Sequence, residues 1–162
     1  MSTYLDTRAK TGDRLLLNGP FGRFDLRAPR WPILFLGGTG VGPILSKPEH
    51  LATRGDSEWP VRLVYGARDD ADLVEIERIE ELRAIPIFTY DTCSGHGSQH
   101  PLTGHVTDHF SAGALNNGDV DVYLCGPPEM IESGRQHLAK LGLLSANIHF
   151  DKFAPASEAS AG

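Results

Sequence analysis

The chain has 162 residues, of which 40% are hydrophobic and 22% are charged, and its formal net charge is −6. This composition is typical of a soluble globular protein rather than a disordered one. The acidic balance argues against nucleic acids and anionic membranes as partners, because both require a basic face. Two cysteines are too few for a disulfide framework or a four-thiolate cluster. The polar N-terminus shows no signal peptide, so we expect a cytoplasmic protein.

Three stretches of the chain differ in their sequence patterns. Residues 1–30 contain two turn signals, Gly12-Asp13 and Asn18-Gly19-Pro20, and a short apolar stretch follows each of them. We therefore predict short strands at residues 14–17 and 21–24. Residues 31–153 alternate between strand-like and helix-like patterns and form the predicted main domain. Residues 154–162 are small and featureless, which predicts a flexible tail.

The main domain predicts a doubly wound α/β fold. Apolar runs predict strands at residues 33–36, 61–66, 87–90, 120–125 and 147–150. Helices are expected between them at residues 41–53, 73–84 and 129–141. Pro48 is expected to kink or shorten the first helix, because an interior proline loses a hydrogen bond. Strands separated by helices imply a mostly five-stranded parallel sheet with both faces covered.

The loop after the first strand reads Gly37-Gly38-Thr39-Gly40-Val41-Gly42-Pro43. In a parallel sheet, ligands bind at the carboxyl ends of the strands. Glycines there let the backbone approach a phosphate, and the N-terminus of the next helix adds a partial positive charge. An ordinary tight turn between strand and helix explains the same residues equally well. As a phosphate-binding site, the loop would use Gly38, Thr39, Gly40, Val41, Gly42 and Pro43.

Arg68, Asp70 and Asp72 follow the second strand, where the adenosine ribose of a dinucleotide usually binds. Carboxylates at that position accept a hydrogen bond from a ribose hydroxyl and repel a 2′-phosphate, which favours NADH over NADPH. The alternative is that the aspartates cap a helix. Arg68 could instead pair with a phosphate or provide a stacking surface.

Cys125 ends the fourth strand and precedes the constrained bend Gly126-Pro127-Pro128. The prolines fix the exit of the strand and start the next helix, which holds Cys125 at the edge of the sheet. A buried structural cysteine is the alternative.

No other catalytic or metal-binding pattern is evident. Four histidines accompany Cys93, but their spacing matches no standard zinc site, so we expect no metal there; they are His96, His100, His105 and His109. The Gly-x-Ser-x-Gly elbow of serine hydrolases is absent.

Together these segments resemble the NAD(P)H-binding domain of the ferredoxin–NADP reductase superfamily. The resemblance is strongest to the reductase components of aromatic-ring-hydroxylating dioxygenases of the benzoate/anthranilate type. It covers nearly all of residues 31–153. The motifs that carry it are Gly37-Gly38-Thr39-Gly40-x-x-Pro43, Leu63-Val64-Tyr65-Gly66 with Asp70-Ala71-Asp72-Leu73, residues 119–128, and Phe150-Asp151-Lys152-Phe153. Residues 1–30 look like the C-terminal remnant of that family's FAD-binding β-barrel.

The resemblance implies an NADH-binding domain of a flavin-dependent oxidoreductase. The pyrophosphate of NADH would lie on residues 38–42, the adenosine near residues 68–72, and the nicotinamide beside Thr39 and Cys125. Cys125 would then be the catalytic residue. Further cofactor contacts would come from Gly126, Pro127, Pro128 and Phe153, and from Met1 and Ser2 as the end of the motif that binds the flavin pyrophosphate.

The resemblance also implies FAD in the intact protein and an iron–sulfur protein or domain as the electron acceptor. The Arg-x-Tyr-Ser/Thr motif that holds the flavin in this family is absent from the chain. We therefore expect FAD to be absent or weakly bound unless the missing barrel segment is supplied. The apolar residues of the remnant would lack their barrel partners, so some of them must pack on the nucleotide-binding domain or form an exposed patch that favours self-association; they are Leu15, Leu17, Phe21 and Phe24. A non-catalytic nucleotide-binding or regulatory module on the same fold is the alternative function.

Overall fold

The computed structural model describes residues 4, 7–16, 18–19, 24–27, 33–37, 41–54, 60–85, 88–95 and 100–152. Its strands are β1 (Ile33–Gly37), β2 (Val61–Ala67), β3 (Phe88–Ser94), β4 (Leu102–Thr103), β5 (Asp121–Gly126) and β6 (Ile148–Lys152). The α-helices are α1 (Gly42–Arg54), α2 (Ile76–Glu81) and α3 (Pro128–Lys140). Short 3-10 helices occupy Asp70–Asp72, Leu82–Ala84, Val106–His109, Ala112–Gly118 and Ser145–Asn147.

The described strands form one parallel sheet in the order β4-β3-β2-β1-β5-β6. The predicted doubly wound α/β class is confirmed, and the five predicted strands correspond to β1, β2, β3, β5 and β6. The two-residue β4 is an addition, because Leu102 and Thr103 lie in a polar stretch without a strand pattern. They pair with Cys93 and Ser94 at the end of β3.

A hydrophobic layer covers each face of the sheet. Neighbouring residues of β5 belong to different layers: Tyr123 and Cys125 lie in the layer that contains the apolar residues of α1, whereas Val122 and Leu124 lie in the layer that contains those of α3. Strands that are buried on both faces are apolar at consecutive positions rather than at alternate ones. This explains the continuous apolar runs from which the strands were predicted.

The first helix continues through Pro48. It has 13 residues, so it is not shortened, and a kink at Pro48 stays a prediction. An interior proline costs about 3 kcal/mol or more. Three apolar side chains of the same helix are at most 3% exposed: Ile44, Leu45 and Leu51. Because burial of each contributes roughly 1.5–3 kcal/mol, packing on the sheet offsets the cost of the proline.

The second helix begins at Ile76, three residues later than predicted. The amide of Val74 donates to the Tyr65 hydroxyl at 2.9 Å, and Glu75 adopts a left-handed conformation with φ of 61°. Leu73 is buried but lies before the helix. The left-handed backbone at Glu75 cannot belong to a continuous right-handed helix, so the helix begins after it.

The third strand extends to Ser94, four residues beyond its predicted end. Its pairing with β2 is continuous from Val61↔Phe88 to Ala67↔Ser94. Pairing with β2 thus places Thr92 and Ser94 in the strand. Both are buried polar residues that the sequence pattern assigned to a loop.

The described residues before the sheet have no strand conformation. Residues 14–16 have no strand conformation, and Leu15 and Leu16 are 52% and 99% exposed. A strand requires a neighbour for its amides and carbonyls, and the described part of the chain places none there. Phe24 packs on the core instead. Leu17 and residues 20–23 lie outside the described residues, and the barrel remnant is not confirmed.

Within the described residues, no helix combines the length and the apolar character needed to cross a lipid bilayer.

Candidate functional site

The sheet has a topological switch point at β1. The chain passes from β1 to β2 on one side and later returns to β5 on the other side. Gly37, the last residue of β1, is in register with Tyr65 of β2 and Cys125 of β5. The loops that follow these three strands therefore leave the sheet at the same edge. Ligands of open α/β sheets bind in the crevice at such a point.

A cleft of about 790 Å³ lies at this edge. One wall is the end of β2 with its following turn, the second is the segment from β3 to the 3-10 helix after β4, and the third is the start of α3. Its volume falls in the range of small-molecule and cofactor sites. The lining residues are Gly66, Ala67, Arg68, Asp69, Asp72, Cys93, Gly95, Gly104, His105, Val106, Thr107, Pro127, Glu129, Met130 and Ser133.

The glycine at the floor of the cleft is required by packing. A Cβ atom on Gly66 would lie 2.5 Å from Cγ1 of Val106 and 2.6 Å from Sγ of Cys93. A backbone hydrogen bond also joins the ends of β2 and β3, because the amide of Gly95 donates to the carbonyl of Ala67 at 3.1 Å. The close approach at Gly66 thus joins the two β-strand walls of the cleft.

The predicted phosphate loop is partly described. Gly38, Thr39 and Gly40 lie outside the described residues. Val41 is buried, and its carbonyl accepts hydrogen bonds from the amides of Ile44 at 2.8 Å and Leu45 at 3.1 Å, which starts α1. The first turn of α1 contains Gly42 and Pro43. This helix N-terminus lies at the ligand-binding edge and directs a partial positive charge there.

The predicted pair of ribose-binding carboxylates is divided. Asp72 lines the cleft together with Arg68, whereas Asp70 does not. Oδ1 of Asp70 is buried without a hydrogen-bond partner among the described residues, and it lies 3.8 Å from Nε2 of His100. Nδ1 of His100 is in turn 2.9 Å from Oγ1 of Thr92. Asp70 therefore belongs to a cluster with His100 and Thr92.

The constrained bend after β5 holds α3 at the cleft. Gly126 is buried at the end of β5, and Pro127 precedes the helix in a non-helical conformation. Pro128 is the first helical residue, where its missing amide hydrogen is not needed. The Pro127 carbonyl accepts a hydrogen bond from the amide of Ile131 at 3.1 Å. Of the bend, Pro127 itself lines the cleft.

Cys125 is fully buried on the α1 side of the sheet. Burial raises the pKa of its thiol to about 12; Asp151 adds to this effect and Lys47 opposes it. Burial likewise raises the pKa of the Cys93 thiol to about 11, with a further contribution from Asp108. Both thiols are therefore protonated at neutral pH, and the arrangement does not support thiolate chemistry.

The two thiols predict an alkaline loss of stability. Their folded-state pKa values, about 11 and about 12, exceed the ordinary value of 9.0, so the folded protein retains protons that the unfolded chain releases. Above pH 9, each thiol should lower the free energy of unfolding by up to about 1.4 kcal/mol per pH unit. Urea unfolding from pH 8 to pH 11 measures this slope. The double variant Cys93→Ala/Cys125→Ala should show a shallower slope, and equal slopes would contradict the assignment.

Several cleft residues were not identified from the sequence. His105 and Thr107 follow β4, and Glu129 and Ser133 belong to α3. They meet because the 3-10 helix after β4 packs beside α3, and no local pattern predicts that packing. Met1, Ser2 and Phe153 lie outside the described residues. Among the residues that the structure does describe, no three His, Cys, Asp or Glu side chains form a group able to hold a metal ion.

Comparisons with known proteins agree with this geometry. A family model described as the oxidoreductase NAD-binding domain matches residues 34–136. The toluate 1,2-dioxygenase electron transfer component of Pseudomonas putida is 43% identical over 157 residues, covering 95% of this chain and 46% of that protein. The 2-halobenzoate 1,2-dioxygenase electron transfer component of Burkholderia cepacia is 42% identical over 159 residues, covering 96% and 47%. The chain thus spans about half the length of the curated relatives it matches.

Solved structures share the fold. The flavohem-like FAD/NAD-binding domain of nitric oxide dioxygenase from Vibrio cholerae has a TM-score of 0.82 to this chain, with 24% sequence identity. The match covers 95% of this chain and 64% of that chain.

Proposed function

The chain belongs to the oxidoreductase NAD-binding domain family of the ferredoxin reductases, and on that basis we propose that it binds NADH across the carboxyl edge of its sheet. The observation that carries the proposal is the cleft at this edge, beside the switch point at β1. It combines Gly66 at the end of β2, the carboxylates of Asp69 and Asp72, and the N-terminus of α3, and the N-terminus of α1 lies at the same edge of the sheet. These features suit a dinucleotide better than an apolar ligand.

The dinucleotide would be held at two strand ends. Residues 38–42 and the N-terminus of α1 would bind the pyrophosphate through backbone amides. Asp69 and Asp72 would accept hydrogen bonds from the ribose hydroxyls of the adenosine half, beside the guanidinium of Arg68. With Glu129, these carboxylates outnumber that guanidinium, so the cleft disfavours an additional 2′-phosphate. We therefore assign NADH rather than NADPH as the coenzyme.

Cys125 would border the nicotinamide as a neutral group. It is in register with Gly37, so it lies beside the strand that leads into the phosphate loop. Its protonated thiol can fix the position of the ring but cannot act as a nucleophile. Its contribution to the reaction is thus alignment.

We further propose that the chain serves an electron-transfer reductase of the cytoplasm. The two bacterial relatives described above are electron transfer components of a toluate 1,2-dioxygenase and a 2-halobenzoate 1,2-dioxygenase. NADH would supply a hydride to FAD, and FAD would release electrons singly to an iron–sulfur protein of the dioxygenase. The residues that resemble flavin contacts, Met1, Ser2 and Phe153, lie outside the described residues, so the flavin part of the proposal rests on the resemblance.

Flavin content and acceptor reduction test this function. The 162-residue chain purified alone should carry no flavin and should show negligible NADH-dependent ferricyanide reduction, because it offers little surface to bury a flavin. Adding the flavin-binding half of a 1,2-dioxygenase electron transfer component, in cis or in trans, should produce turnover. NADH binding without turnover in a flavin-loaded assembly would contradict the electron-transfer role. A yellow, active chain alone would contradict the expected dependence on that half.

A further inference from the structure

A buried lysine on α1 contacts the segment that precedes the sheet. Lys47 is 7% exposed. Its Nζ donates a hydrogen bond to the carbonyl oxygen of Phe24 at 2.6 Å and lies 4.0 Å from the centre of the Phe24 ring. A buried ammonium is costly unless its donors are satisfied and its charge is compensated. The carbonyl accepts one of the three ammonium N–H groups, and the ring face and the carboxylates of Asp25 and Asp151 favour the charge, so the lysine and the segment stabilise each other.

Tyr123 of β5 is a second anchor for the same segment. Its hydroxyl accepts a hydrogen bond from the amide of Arg27 at 2.9 Å. Its ring meets the Phe24 ring edge-on, with centroids 5.8 Å apart and an interplanar angle of 71°. Nζ of Lys47 lies 5.8 Å from the centre of the Tyr123 ring, so the two anchors adjoin. We call the contacts of Lys47 and Tyr123 with residues 24–27 the latch.

The latch lies beside the end of β5. Tyr123 and Cys125 belong to the same hydrophobic layer and are two positions apart, roughly 7 Å along the strand. The charge of Lys47 acts electrostatically on Cys125 and on Asp151, the β6 residue in register with Cys125. Residues 24–27 are therefore fixed next to the strand end that is proposed to border the nicotinamide.

We propose that Lys47 is a positioning residue, whose buried ammonium fixes residues 24–27, and with them the chain that precedes β1, against the layer containing Cys125. The latch is defined by the hydrogen bonds of Lys47 and Tyr123 with this segment. Its consequence for the reaction, a fixed alignment of the flavin-binding part with the nicotinamide, rests on the proposed function. Lys47 does not serve as a phosphate ligand, because its ammonium is directed at Phe24 and is shielded from solvent.

Hydrogen exchange of the 162-residue chain tests the latch. Lys47→Met retains most of the apolar stem and removes the charge, and Lys140→Met makes the same change at an exposed lysine of α3. In Lys47→Met, the Arg27 amide, which donates to the Tyr123 hydroxyl, should exchange at least about tenfold faster, because the hydrogen bond that holds the Phe24 carbonyl is lost. The core strands should be unaffected. Lys47→Arg should preserve the protection, and Lys140→Met should change nothing.

Tyr123→Phe provides an independent variant. It keeps the ring but removes the acceptor for the Arg27 amide, whose exchange should accelerate while Lys47 is intact. If Lys47→Met does not fold, an unchanged Arg27 amide in Tyr123→Phe overturns the proposal. Unchanged exchange of the Arg27 amide in Lys47→Met, or acceleration spread over the whole sheet, overturns it as well.

NADH affinity separates positioning from coenzyme binding. The dissociation constant for NADH should agree within about twofold among the wild type, Lys47→Met and Lys140→Met. A loss of affinity confined to Lys47→Met would place the lysine in the coenzyme site and overturn the positioning role. Failure of the wild type to bind NADH would instead contradict the proposed function. The exchange experiment would still decide whether Lys47 fixes residues 24–27.

Discussion

Replacing Ser133 by tryptophan is expected to weaken NADH binding at least about tenfold, or 1.4 kcal/mol. Ser133 is exposed on α3 and lines the cleft opposite the turn after β2. An indole at this position would occupy the space assigned to the adenosine half, while the hydrophobic layers stay intact. Fluorescence or calorimetric titration with NADH measures the effect, and thermal unfolding confirms that the variant is folded.

Ala139→Trp is the matched control for this variant. Ala139 is exposed on the same helix but does not line the cleft. Its replacement adds the same indole without filling the proposed site, so NADH affinity should stay at the wild-type level. Wild-type affinity in a folded Ser133→Trp protein would remove the cleft from the coenzyme site.

Coenzyme selectivity is the second large expected effect. The wild type should bind NADH at least about tenfold more tightly than NADPH, because the carboxylates in the cleft repel a 2′-phosphate. Asp72→Asn removes one of those charges and should reduce the preference about fivefold, in line with roughly 1 kcal/mol for a pair of charges near 4 Å in water. Parallel titrations with both coenzymes measure the ratio of the two dissociation constants.

Asp70→Asn makes the same chemical change at a neighbouring aspartate that does not line the cleft. Because Asp70 is directed toward His100, its replacement should leave the NADH/NADPH ratio unchanged. A larger effect from Asp70→Asn than from Asp72→Asn would place Asp70 at the ribose, as the sequence predicts. Equal or tighter NADPH binding by the wild type would show that Arg68 dominates the site.

Local sequence patterns predicted the fold class because a sheet covered on both faces requires continuous apolar strands. Errors arose where distant residues decide local structure. The amide of Val74 donates to the Tyr65 hydroxyl, and the left-handed Glu75 that follows it precedes the start of α2. Pairing with β2 extends β3 into residues whose polar side chains indicate a loop. Burial of one face of α1 stabilises a helix through Pro48.

The candidate site was predictable in position but not in composition. Glycines and prolines at the strand ends indicate where the chain turns, so the edge of the sheet follows from the sequence. Which aspartate faces the cleft depends on the orientation of the 3-10 turn Asp70–Asp72, which a sequence pattern does not specify. Ser133 and Thr107 meet only through packing between α3 and the segment after β4. Lys47 gave no sequence signal, since a lone lysine on a helix is ordinarily exposed.

Hydrogen exchange with saturating NADH tests most directly whether NADH lies across the carboxyl edge of the sheet. Backbone amides in residues 38–43, 66–72 and 126–130 should exchange more slowly, with no change at the opposite edge of the sheet. Protection should be absent with adenosine alone at residues 38–43, because that segment is assigned to the pyrophosphate. NADH-dependent protection confined to other segments, or no protection at saturation, would contradict the account.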